Sequence, residues 1–114
     1  MSEEYVLDRP TSLTCPECGG ALAKIEDDLI PKYVCHIGHV LTSEAMLDAQ
    51  AERIETTLTS ALAILNERRE LCRQLLQDAV NEPGRLEGIL AETTATAEDL
   101  RKLLNRQERF PTPT

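Results

Sequence analysis

Two short clusters of soft donors constrain this chain more than any other feature: Cys15-Pro16-Glu17-Cys18-Gly19-Gly20 and Cys35-His36-Ile37-Gly38-His39. The first is C-x2-C, and the second is a cysteine followed four residues on by a histidine, with sixteen residues between Cys18 and Cys35. Thiols and imidazoles at this spacing are the sequence form of a structural zinc site, in which four tetrahedral ligands leave no position open to water. Cys15, Cys18 and Cys35 supply three ligands. The fourth is His39 or His36. Neighbouring residues of an extended strand point to opposite faces, which turns His36 away from Cys35. His39 follows the bend that Gly38 permits, and is the expected ligand. The C-x2-C pair argues for metal over disulfides. Thiolate-rich sets also hold iron, but the histidine favours zinc.

Around this site residues 13–42 predict a zinc ribbon. Pro16 stiffens the turn between two thiols. Gly19 and Gly20 offer positive φ or close approach after Cys18. Ala21 to Ile25 reads as a strand, Glu26-Asp27-Asp28 as a solvated turn, and Leu29 to Cys35 as the returning strand, with Pro31 acceptable at an edge or bulge. Val40 and Leu41 close the unit. So short a ribbon has little core. Metal binding contributes on the order of 10–16 kcal/mol in small zinc modules, so the metal-free form is expected to unfold. Residues 1–12 carry charge and Pro10 and read as a flexible arm.

Downstream the pattern becomes helical. Thr42 or Ser43 caps a stretch with neither Pro nor Gly from Ser43 to Asn81, about 58 Å of helix at ~1.5 Å per residue. Leu47, Ile54, Leu58, Ala61, Leu65, Cys72, Leu75 and Ala79 recur at helical spacing, widened by Leu62, Ile64, Leu71 and Leu76. Arg68 falls on this seam and Arg69 flanks it. Cys72, far from the other cysteines in sequence, reads as a small buried hydrophobe. Asn81-Glu82-Pro83-Gly84 breaks the helix. A second one is expected over 85–109, with Leu86, Ile89, Leu90, Thr93, Ala97, Leu100 and Leu104 on its face. Phe110, Pro111 and Pro113 end it, leaving 111–114 as a tail. The expected class is α+β and mostly α: a ribbon, then an antiparallel helical hairpin over 43–110. Two helices enclose no core of their own, so a homodimer through the helices is expected.

Charge and composition narrow the function. The net charge is −8, and no segment is basic: residues 1–42 hold three basic against seven acidic residues, 43–81 four against seven, and 82–114 five against six. Nucleic acid binding needs Lys and Arg against phosphates, and base stacking needs aromatics, of which there are only two Tyr and one Phe. A nucleic-acid-associated zinc-ribbon regulator is therefore the alternative rather than the leading reading. No apolar run approaches the ~20 residues of a membrane span, and no leader pattern opens the chain, so a cytoplasmic location is expected.

The two clusters, with their flanks Leu13-Thr14 and Ala21-Leu22, then Tyr33-Val34, and the helical run Ala61-Leu62-Ala63-Ile64-Leu65-Asn66-Glu67-Arg68-Arg69, resemble the C-terminal extension of bacterial chemotaxis protein-glutamate methylesterases. The resemblance covers about residues 12–75 and is specific at the two cysteine clusters. It implies Cys15, Cys18, Cys35 and His39 as the zinc ligands, because a Gly-His pair recurs in that family. The catalytic half is missing. Ser2, Ser12, Ser43 and Ser60 lie outside any nucleophile-elbow context, and both histidines lie in the zinc region. The resemblance therefore implies no esterase activity. It implies an accessory module beside a chemosensory or other signalling complex. A structural-zinc, non-enzymatic interaction module is the resulting expectation.

Overall fold

The computed structural model describes residues 9–27, 30–78, 82–106 and 110. Residues 1–8 of the expected arm, Asp28 of the expected turn, Leu29 at the start of the expected returning strand, residues 79–81 at the first helix end, residues 107–109 and the tail 111–114 lie outside them. The fold is α+β: strands β1 (Leu13–Thr14), β2 (Ala21–Asp27), β3 (Ile30–Cys35) and β4 (Val40–Thr42), then helices α1 (Ser43–Gln77) and α2 (Pro83–Leu104). The chain divides into two compact units at the Gln50–Ala51 boundary.

The first unit is built on an antiparallel sheet in the order β1-β2-β3-β4. Its register aligns Leu13 with Leu22 and Leu22 with Cys35. Tyr33 pairs with both Lys24 and Leu41. Because side chains alternate along each strand, these residues share one face. Leu22 and Cys35 are buried there with Cys15 and Met46, and Cys18, Tyr33 and Leu41 pack against them. The opposite face carries Ala23, Val34 and Val40 in one row and Ile25, Lys32 and Thr42 in the next. Val40 and Ile25 are exposed on it.

The expected turn at Glu26-Asp27-Asp28 is corrected at its first two residues: β2 continues through Asp27, which pairs with Ile30, while Glu26 pairs with Pro31. The strand tolerates Glu26 because that side chain is exposed and its Oε1 lies 3.1 Å from Lys24 Nζ on the same face. Pro31 sits beyond the end of β4, whose pairing stops at Lys32, so its missing N–H costs that ladder nothing.

β4 passes directly into α1. Thr42 is the cap, its Oγ1 accepting the Ala45 N–H at 3.1 Å. In the first turn Met46, not Leu47, is buried, and Leu47 is exposed. The apolar stripe expected at Leu47 thus starts later. The first turn belongs to the unit that holds the sheet, so a different face is covered. α1 ends at Gln77 rather than 81, where Asp78 N–H turns back to Leu75 O at 3.3 Å.

In the second unit Cys72, Thr93 and Ala97 are buried. The Thr93 hydroxyl is satisfied by donating to Ile89 O at 2.7 Å. Arg69, not Arg68, makes the cross-helix contact: its Nε donates to Thr94 Oγ1 at 3.0 Å while Nη1 donates to Asn66 Oδ1 at 3.1 Å. Arg68 is exposed. Leu62 and Leu76 are half-buried as the periodicity predicts, but Ile64 and Leu71 are exposed. α2 starts at Pro83, earlier than the expected Arg85, because proline lacks only an N–H that the first turn leaves unbonded anyway. It ends at Leu104 rather than 109. Arg101 and Lys102 face the negative end of the helix dipole, and the Asn105 N–H closes onto Arg101 O at 3.0 Å.

Candidate metal centre

Two tight turns build the site. In the first, Cys15 N–H donates to Gly20 O at 2.7 Å and Gly19 N–H to Cys15 O at 2.9 Å. In the second, Gly38 N–H donates to Cys35 O at 3.0 Å and Cys35 N–H to His39 O at 3.2 Å. Gly19 and Gly38 adopt φ of 79° and 108°, a region open to glycine and strained for other residues. Gly20 is small for another reason. A Cβ there would lie 2.7 Å from His36 Cε1 and 2.8 Å from His36 Nδ1, so the His36 ring occupies the space.

The turns bring Cys15, Cys18, Cys35 and His39 together, with all four donor atoms within 4.8 Å of one another. Cys15 and Cys35 are buried, while Cys18 and His39 are half-buried. His39 Nδ1 is 3.3 Å from Cys35 Sγ and 3.6 Å from Cys15 Sγ, and Cys18 Sγ is 3.6 Å from Cys35 Sγ. A tetrahedral zinc, with bonds of about 2.3 Å to sulfur and about 2.0–2.1 Å to nitrogen, spaces two sulfurs about 3.8 Å apart and a sulfur and nitrogen about 3.6 Å apart. The donor set fits that ion in size and chemistry. His36 is exposed on Gly20 and outside the cluster. All four cysteines are free, with Cys72 buried in the helices.

The backbone favours thiolate. Burial raises Cys35, but N–H groups of His39, Ile37 and Gly38, with the Cys18 side chain, outweigh it and bring its pKa to about 6. Burial likewise raises Cys15, and the N–H groups of Cys18 and Glu17 overcome it, leaving the thiol below its ordinary value. Cys18 moves the other way: the Gly20 N–H lowers it, but burial and the Cys15 and Cys35 sulfurs prevail. Cys35 and Cys15 raise His39. On the far side of the ring, His39 Nε2 lies 3.3 Å from Glu17 Oε2. Sequence reasoning leaves Glu17 and Met46 without roles. The one readable signal for Glu17 is its place between the two cysteines of C-x2-C.

Among the described residues no helix is long and apolar enough to cross a membrane. No family model matches the chain, and neither a curated protein nor a solved structure matches it.

Proposed function

We propose that this chain is a structural-zinc interaction module: a zinc ribbon held by Cys15, Cys18, Cys35 and His39, followed by an antiparallel helical hairpin that pairs with a second copy and docks a protein partner. The observation that carries this reading is the clustering of three sulfurs and one imidazole nitrogen within 4.8 Å, at spacings close to those of a tetrahedral zinc shell. Four protein donors would fill that shell, which favours a structural over a catalytic ion. Bound there, the ion would cross-link the two turns. The resemblance to the extension of chemotaxis methylesterases supports a partner in bacterial chemosensory signalling. The net charge of −8 supports a protein partner over nucleic acid.

The test is native mass spectrometry of the purified chain with elemental analysis. One zinc per chain is the expected result, with Cys15→Ser and His39→Ala each lowering occupancy. A metal-free protein that unfolds at the same temperature with and without added zinc would overturn the reading.

A further inference from the structure

We propose that Glu17 is a positioning residue that orients His39 for the metal, so that the first cysteine turn controls the ligand supplied by the second. This rests on the zinc reading above. His39 turns Nδ1 toward the Cys35 and Cys15 sulfurs, at 3.3 and 3.6 Å, and Nε2 toward Glu17 Oε2, at 3.3 Å. An imidazole that gives one nitrogen's lone pair to a metal carries its proton on the other nitrogen. A carboxylate accepting that N–H selects the tautomer, fixes the ring plane and makes the ligating nitrogen more basic. Glu17 therefore serves both kinds of donor: its backbone N–H points at the Cys15 sulfur and its side chain meets the His39 ring. Its place within C-P-E-C is what makes this possible. The turn that brings Cys15 and Cys18 to one side of the site leaves Glu17, the second of the two residues between them, with its carboxylate 3.3 Å from His39 Nε2.

The competing explanation is an incidental surface contact, because the Glu17 side chain is 59% exposed and the His39 side chain 34%. Exposed ion pairs contribute little. The two explanations separate in zinc affinity, measured by competition with a chromophoric chelator, for the full chain and for Glu17→Gln, Glu17→Ala and Glu26→Gln. Glu26→Gln removes the same charge from an exposed residue that faces Lys24. Loss of such a partner typically weakens metal binding 10–100-fold, and the exposure of this one reduces that to about 3- to 10-fold for Glu17→Ala. Glu17→Gln, whose amide oxygen still accepts, falls between Glu17→Ala and the wild type, and Glu26→Gln stays within about twofold. In the zinc-loaded protein, nitrogen NMR places the His39 proton on Nε2, and that proton exchanges with water faster in Glu17→Ala. A Glu17→Ala affinity within twofold of wild type, or equal losses in Glu17→Gln and Glu26→Gln, overturns the orienting role while leaving the zinc site standing. A wild type that binds no zinc overturns both.

Discussion

Adjacent glycines of the first turn do different work, and alanine separates them. Gly19 has open space around its missing Cβ but a φ of 79°. Alanine there takes on left-handed strain of about 1–2 kcal/mol whatever its surroundings. Gly20→Ala instead meets the His36 ring at 2.7 Å, and that ring, being exposed, can swing aside. Both substitutions are expected to lower the thermal midpoint of the zinc-loaded protein. Adding His36→Ala should restore the Gly20→Ala protein and leave Gly19→Ala unrelieved; equal rescue of both would contradict this division. The thiols give a second expectation, in pH. Cys35 ionises near 6 in the folded site against 9.0 ordinarily. A depressed thiol stabilises the fold in full above 9.0, and that contribution is lost as pH falls through about 6. Because a bound cation holds its thiolates against protons, zinc retention, followed by dialysis at stepped pH, should persist through about pH 6, where the metal-free Cys35 thiol takes up its proton, and fail only in more acid solution. The sequence made the ligands legible because metal chemistry leaves few residue types to choose from. It hid Glu17 and the His36–Gly20 contact because both depend on how the turns fold back, which spacing alone does not encode.

Thr42 joins two elements without a linker. It ends β4, paired with Lys32, and its hydroxyl caps α1 by accepting the Ala45 N–H. Thr42→Val keeps the branched shape suited to a strand and deletes the cap, at an expected cost of about 1 kcal/mol. Thr42→Ser keeps the hydroxyl and should lose only a few tenths of that, so thermal melts of the two distinguish capping from strand preference. If both fell equally, the strand would be the reason for Thr42. Helix existence was legible here, because Ser43–Gln77 lacks breakers and repeats its apolar residues at three and four. Its facing was not. Leu47 continues the downstream stripe by spacing, yet Met46 is buried with Cys15, Leu22 and Cys35, because the first turn packs within the sheet unit. Glu26 and Asp27 misled for a related reason. Charge marks exposure, and the exposed Glu26 is as compatible with a strand as with a turn. Proline at 83 marked a boundary correctly, but it opens α2 rather than preceding it.

At the scale of the molecule, the helices beyond Gln50 bury only small side chains among the described residues: Cys72, Thr93 and Ala97. Their larger apolar residues stay partly open, with Ile64 63% and Leu71 55% exposed. These two stand seven residues apart on α1, two turns along nearly the same line, so they form a stripe and not scattered sites. An exposed apolar stripe flanking a helix pair is what a second copy would cover, turning two helices into a four-helix arrangement with an enclosed core. The chain is therefore expected to sediment as a dimer at micromolar concentration. Ile64→Glu with Leu71→Glu places two like charges per protomer into the proposed contact and should shift it to monomer. Because both positions are exposed within the single chain, that variant should retain its zinc and its helical circular dichroism. A wild type that sediments as a monomer across the micromolar range would refute dimerisation outright. A dimer that survives both glutamates would place the contact elsewhere on the chain.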